Sequence, residues 1–298
     1  MLIIAGTVPD SQFPLVRGKA KFDGSHLLVA GRSIPVLRGT PALIAASLRM
    51  AEVLDAEAPE VILAGDTGKG DGSRLVYEEI VRSAADFQAL TLTFHYLQPD
   101  VDWHNRILMA LDALPAPPLR IADAGFMYAA KMSGYAASYD LFTPDVGELA
   151  FLADEKAPHP FYTRGFILHE DQNADALIER AFQHENSAKN LLVKGSKDRF
   201  AKDGKILWEL DFPSVEAMEA MGGTGDTLTG MASQLAASGL NLEKACFAAA
   251  LANRYTGLLA KATPATQVAD LVAQIPLAWK TIQDKLPPGE GWAKEKNS

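Results

Sequence analysis

The sequence predicts a three-layer α/β/α protein in which helices cover both faces of a mainly parallel central sheet. Three observations predict it. Short apolar runs alternate with segments of helical periodicity from about residue 26 to residue 286, the pattern that a parallel sheet with helical crossovers imposes. The 298 residues, 48% of them hydrophobic and 22% charged, are enough to bury a large core. No internal repeat and no long linker divides the chain. Residues 1–286 are therefore expected to form one domain. Residues 287–298, where Pro-Pro-Gly is followed by charged residues, are expected to form a flexible tail.

The elements follow in order. Residues 26–31 (HLLVAG) are a short apolar run. Thr40-Pro41 reads as a helix cap followed by proline at the first helical position, opening a helix over 41–54. Residues 60–65 (EVILAG) form the next strand, and a glycine-rich loop follows at 66–72. Ser73 is placed to cap a helix that turns Val76, Ile80 and Ala84 inward. Residues 90–97 alternate and predict a strand, and Ile107, Leu108, Leu111 and Leu114 mark a helix. Further strands are expected at 119–123, 141–144, 165–168 and 190–194. Residues 199–210 read as a hairpin around Asp203-Gly204. Three helices, at about 225–238, 242–261 and 266–286, close the chain, with Gly239 just past the first. The helix at 242–261, with Phe247, Leu251, Tyr255 and Leu258, is apolar almost all round and reads as core.

Composition excludes several function classes. The net charge is −9 and no basic block occurs, so no nucleic-acid footprint is expected. An anionic ligand must then meet a locally built site. The single cysteine, Cys246, lies in an apolar run, which excludes a disulfide scaffold and predicts a buried small hydrophobe. Residues 1–6 are too few for a signal peptide, and no apolar run approaches the roughly 18 residues needed to span a bilayer. The expectation is a cytoplasmic protein without a membrane partner. The six histidines show no metal-ligand spacing, and neither a P-loop nor a Gly-x-Ser-x-Gly elbow occurs.

The sharpest motif is residues 221–230 (MGGTGDTLTG). Glycines at 222, 223 and 225 present bare N–H groups, and Leu228, Met231 and Leu235 say that a helix follows at once. Backbone donors at a helix N-terminus make an anion site. Asp226 stands at its mouth, placed to take a proton from a hydroxyl that attacks a phosphoryl group. A capped turn before a helix is the plainer alternative. The 66–72 loop, with Lys69 and two aspartates, reads either as a cover for phosphates or as an ordinary turn. His95, Tyr96, Trp103 and His104 form a polar-aromatic cluster, either core packing or a surface that stacks on a substrate ring.

Residues 222–230 resemble the C-terminal signature of the NAD(P)H-hydrate dehydratase family, within the ribokinase-like superfamily. Residues 26–49, 142–149 (FTPDVGEL) and 192–196 (LVKGS) resemble further stretches of that family in the same order. The resemblance implies a ribokinase-like fold and ATP- or ADP-dependent dehydration of hydrated NAD(P)H. A hydroxyl attacks the terminal phosphoryl group, and phosphate then leaves by elimination. It also implies that Asp226 is the general base and that the amides of Gly223, Thr224 and Gly225 form an anion hole. Lys194 and Gly195, with Gly222, would contact the nucleotide. Glu148 would organise Mg²⁺ through water, with a solvated helix position as its alternative.

Asp123, Asp145 and Gly39 fall on the substrate side, although Asp123 could equally cap a helix at 125–132. The chain departs from the family at Asp145, where a histidine is usual, and at Glu219-Ala220-Met221, where Asn-Pro-Gly-Met is usual. Two other outcomes stay open beside the dehydratase. One is a small-molecule kinase for a sugar or hydroxymethyl heterocycle, and the other is a nucleotide-binding protein without turnover. The superfamily often forms homo-oligomers.

Overall fold

A computed structural model describes residues 1–155 and 174–286. The chain is a mixed α/β protein with a large, mostly parallel sheet and helices. Its residues gather into two compact units. The larger holds Ile3–Gly18 and Glu60–Asp211; the smaller holds Met1–Leu2, Lys19–Pro59 and the chain from Phe212 onward.

The larger unit is built on β1 (Leu2–Val8), β5 (Glu60–Gly65), β6 (Thr91–His95), β7 (Leu119–Ala122), β8 (Leu141–Phe142), β9 (Asn190–Val193), β10 (Asp198–Lys202) and β11 (Lys205–Leu210). Their order is β11-β10-β9-β8-β7-β6-β1-β5. Pairs β1/β5, β6/β7, β7/β8 and β8/β9 are parallel, whereas β9, β10 and β11 are antiparallel. The helices of this unit are α2 (Asp71–Ser83), α3 (Val101–Asp112), α4 (Gly125–Met132), α5 (Val146–Ala153) and α6 (Ala174–Gln183). The hairpin around Asp203-Gly204 forms as expected, both residues having positive φ.

Burial explains what the periodicity missed. Every residue of β1 is buried, so this strand reads as a continuous apolar run without alternation, as a central parallel strand must. β2 (Val16–Phe22) carries Arg17, Lys19 and Lys21 among its residues and shows no apolar run. The strand expected at 165–168 and the tail at 287–298 lie outside the described residues.

The smaller unit joins an antiparallel hairpin, β3 (His26–Val29) and β4 (Arg32–Pro35), to four helices. The helices are α1 (Thr40–Val53), α7 (Thr224–Ala237), α8 (Leu242–Leu259) and α9 (Val268–Ile282). The 26–31 run is thus one arm of a hairpin turning at Ala30-Gly31, both with positive φ. Helix α1 packs on α7, tied by Ser47 Oγ donating to Gln234 Oε1 at 3.1 Å in a buried setting. Gly239 (φ 101°) ends α7, as its placement in the sequence implies. Helix α8 is less enclosed than its composition predicts: Phe247 is half-buried and Leu258 is exposed. Cys246 is fully buried, and burial pushes its thiol up. Among the described residues no helix is long and apolar enough to cross a membrane.

The aromatic cluster divides. His104 belongs to the core of the larger unit, with Tyr139 Oη 2.9 Å from its Nε2 and Ser133 Oγ 3.0 Å from its Nδ1. Burial lowers its pKa from 6.5 to about 4. A depressed folded-state pKa means stability that is complete above pH 6.5 and lost as the pH falls toward 4. At about 1.4 kcal/mol per pH unit, roughly 3 kcal/mol is at stake across that window. The unfolding midpoint in urea should therefore drop between pH 6.5 and 4, and His104→Gln should flatten the dependence. An equally steep loss in the variant would exclude His104 as its source.

Candidate functional site

In the smaller unit the glycine loop leads directly into α7. Gly223 is the N-cap residue, at φ 101° and ψ −10°, and no side chain caps this helix. Thr224 Oγ1 lies 3.2 Å from the Met218 carbonyl and 3.4 Å from that of Met221, which closes the loop. Asn253 Nδ2 on α8 donates to the Thr224 carbonyl at 3.0 Å. The Thr227 hydroxyl lies 2.8 Å from the same carbonyl and 2.7 Å from Asn253 Oδ1. The first-turn amides are thereby held at a positively polarised helix end, where an anion is favoured.

Asp226 is half-buried in that first turn. Its Oδ2 accepts the Gly39 N–H at 2.6 Å, across a sequence separation of 187 residues. Gly39, the N-cap of α1, sits at φ 69° and ψ −150°, a conformation open essentially to glycine alone. The helix therefore begins at Thr40 rather than after it. Gly39→Ala should swing this amide off the carboxylate. A turnover loss of about tenfold is the expected outcome, the scale of one hydrogen bond to a charged group. Unchanged steady-state kinetics in a folded variant would count against the role. The Arg38 stem lies over the loop, its Cδ 3.4 Å from where a Gly222 side chain would begin.

The larger unit gathers a second group at the carboxyl ends of its strands. Lys194 follows β9 and Asp123 follows β7; Nζ donates to both carboxylate oxygens at 2.9 Å. Asp123 is buried and Lys194 half-buried, with side chains 2% and 11% exposed. His95 Nε2 is 3.9 Å from Asp123 Oδ2. Asp123 does not cap α4, whose N-cap is Ala124. Asp145 caps α5: its Oδ1 accepts the Glu148 N–H at 2.7 Å, and Glu148 Oε2 accepts the Asp145 N–H at 2.9 Å. Glu148 is therefore half-buried in a capping box and not a solvated helix residue. Burial first, then the nearby Asp145 carboxylate, pushes the Glu148 carboxyl well above its ordinary range, against the pull of Lys194. The Gly195 N–H donates to Asp198 Oδ1 at 3.3 Å.

The 66–72 loop differs from its expected form. Asp66 Oδ1 accepts the N–H groups of Gly68, Lys69 and Gly70 at 2.9, 2.9 and 3.0 Å. Its Oδ2 accepts the Ser73 N–H and hydroxyl at 2.9 and 2.8 Å. Burial would raise this carboxyl, but these donors outweigh it and hold it below its ordinary range. The loop thus encloses an anion of its own, so these amides are not available to phosphates. Ser73 lies inside α2, whose N-cap is Gly70 at φ 86°.

The structure thus brings Gly39 to Gly222–Asp226 in one unit, and Asp123, Asp145, Glu148, Lys194 and Gly195 together in the other. Sequence reasoning missed Asn253, because one polar residue in an apolar helix carries no local signal. It also missed the mutual pairing of Asp123 and Lys194, for which the strand-end position of both residues was the available hint.

Comparisons with known proteins bear on the family and the fold. The family model described as NAD(P)H-hydrate dehydratase matches residues 107–277. An uncharacterized protein of Methanocaldococcus jannaschii is 39% identical over 237 residues, covering 79% of this chain and 97% of that protein. A ribokinase-like superfamily protein from Enterococcus faecalis aligns with a TM-score of 0.57 at 16% identity, covering 94% of this chain and 86% of the other. The ADP/ATP-dependent NAD(P)H-hydrate dehydratase of Bacillus subtilis, co-crystallized with ATP and Mg²⁺, aligns with a TM-score of 0.56 at 14% identity, covering 95% and 90%.

Proposed function

Since the chain belongs to the NAD(P)H-hydrate dehydratase family and has the ribokinase-like fold, we propose that it uses ATP or ADP to phosphorylate a hydroxyl of a small molecule. The acceptor that fits the family is hydrated NAD(P)H, from which phosphate then leaves by elimination. The observation that carries the proposal is the Asp226 carboxylate, oriented by the Gly39 amide at 2.6 Å in the first turn of a helix that no side chain caps.

Each residue then has a role. Asp226 accepts the proton of the attacking hydroxyl. The amides of Gly223, Thr224 and Gly225 stabilise charge that develops on the transferred phosphoryl group, where one such donor is worth about 3 kcal/mol. Lys194 and Gly195, with Gly222, bind the nucleotide. Asp123, Asp145 and Gly39 serve the acceptor side.

Magnesium fits the donor set of the larger unit. Glu148, Asp145 and Asp123 offer hard oxygen ligands, and the raised Glu148 carboxyl is one that a cation would relieve. Glu148 would hold the ion, and Mg²⁺ there supplies charge neutralisation at the nucleotide phosphates. The dehydratase of Bacillus subtilis, co-crystallized with ATP and Mg²⁺, supports both cofactors.

One observation favours a second reading. Asp145 is the N-cap of α5, where the family usually places a histidine tied to substrate. A kinase acting on a sugar or hydroxymethyl heterocycle would need no such histidine. Incubation with ATP or ADP separates the two. Release of inorganic phosphate with recovery of NADH from its hydrate identifies the dehydratase, and a stable phosphorylated product identifies the kinase. Nucleotide binding by calorimetry without turnover of any acceptor would leave a binding protein and overturn the proposal.

A further inference from the structure

Residues 36–39 connect the β3–β4 hairpin to α1, and their backbone is anchored at both ends. Val36 is 1% exposed, and its N–H donates to the Ser25 carbonyl at 2.9 Å. The Gly39 N–H donates to Asp226, while its carbonyl accepts the Ala42 and Leu43 N–H groups at 2.9 and 3.1 Å. Arg38 stands between these anchors, directly against the glycine loop. Its Cδ and Cβ are 3.4 and 3.6 Å from where a Gly222 side chain would begin, and its Cα is 3.2 Å from the same point on Gly223. The stem therefore carries its guanidinium, two bonds beyond Cδ, beside the loop whose first-turn amides favour an anion.

Two other arginines of this unit are committed. Arg49 pairs with Glu52 at 2.7 Å and lies over the Phe22 ring at 5.1 Å. Arg254 is 8% exposed and donates to the Pro213 carbonyl at 3.4 Å. Arg38 is exposed and forms no ion pair among the described residues. The loop beside it offers only the partial charges of its amides, and Asp226 in the same turn adds a full negative charge that opposes phosphate. In a chain of net charge −9, a phosphate chain must meet its cation locally. Arg38 supplies one on a backbone that is already fixed, so gripping a ligand orders only the side chain.

We propose that Arg38 grips the terminal phosphate of the nucleotide, its guanidinium fork closing over the glycine loop onto two phosphoryl oxygens. A guanidinium matches phosphate in bidentate geometry and stays charged at any working pH. In the transfer, the acceptor oxygen bonds to the terminal phosphorus as the bond from that phosphorus to the bridging oxygen breaks. The hydroxyl proton passes to Asp226, and the shortened nucleotide leaves with the electron pair of the broken bond. Arg38 neutralises charge on the phosphoryl oxygens throughout and neither gains nor loses a proton. The proposal rests on the nucleotide-dependent function argued above, but a phosphate grip shows itself in binding without turnover, so the two can fail separately.

The test is calorimetric titration of the full chain with ATP, tripolyphosphate and adenosine, for wild type, Arg38→Met and Arg38→Lys, beside turnover with ATP and a competent acceptor. Methionine keeps an unbranched apolar stem against Gly222, so Arg38→Met should melt close to wild type. That variant should lose about 10- to 100-fold in affinity for ATP and tripolyphosphate, the scale of hydrogen bonds to a charged group. Its turnover should fall about 10³-fold, the lower scale of an arginine acting on a transferred phosphoryl group. Adenosine, which has no phosphate, should bind all three proteins alike. Arg38→Lys should recover part of the affinity, because a point charge remains, but not the turnover, because the fork is gone. Wild-type affinity for tripolyphosphate in a folded Arg38→Met, or an equal loss for adenosine, would overturn the proposal. Tripolyphosphate binding that depends on Arg38, in a protein that phosphorylates no acceptor, would support the grip while overturning the proposed function.

Discussion

Asp226→Asn is expected to lower the turnover number by at least two orders of magnitude, with nucleotide affinity nearly unchanged. A positioned base contributes about 10²–10⁴-fold. Asparagine has the same shape and can still accept the Gly39 N–H through its amide oxygen, so the loop should keep its form. What it lacks is the ability to take up a proton. Steady-state kinetics with ATP or ADP and a competent acceptor, together with calorimetry of nucleotide binding, read the two effects separately. Near-normal turnover would remove Asp226 from the mechanism. Equal losses in turnover and in nucleotide affinity would instead indicate a collapsed loop.

A large stability effect of a substitution is expected one turn farther along α7. A side chain at Gly230 would begin 2.1 Å from the Leu43 carbonyl oxygen on α1. That neighbour is backbone, not the flexible end of a side chain, so α1 and α7 would have to move apart. Gly230→Ala should cost about 1–3 kcal/mol through overpacking. Thermal unfolding should report this at roughly 2–4 °C per kcal/mol for a chain of this size. Because the same helix begins at the glycine loop and its neighbour begins beside Gly39, activity should fall along with stability. A variant with wild-type melting temperature would mean that the two helices do not meet so closely.

These predictions rest on features that were unequally legible before folding. Residues 222–226 and the helix after them were readable because glycine frequency and apolar spacing act over a few residues. The hairpin at Asp203-Gly204 and the end of α7 at Gly239 were readable for the same reason. The central strand β1 was not, since full burial removes the alternation that marks a strand. The 66–72 loop was readable as a turn, but not as one closed on the carboxylate of its own Asp66.

By itself, the sequence determined the α/β class, most helices and strands, and the family to which the chain belongs, because periodicity, turn chemistry and motif residues are local properties. Only the tertiary structure decided that Gly39 orients Asp226 and that Lys194 pairs with Asp123. It alone decided that the Thr7 hydroxyl donates to the carbonyl of Tyr96, a residue with φ 51°. The physical reason is that hydrogen bonds between distant segments depend on which strand ends and helix termini the topology makes neighbours, and local propensity does not encode that adjacency.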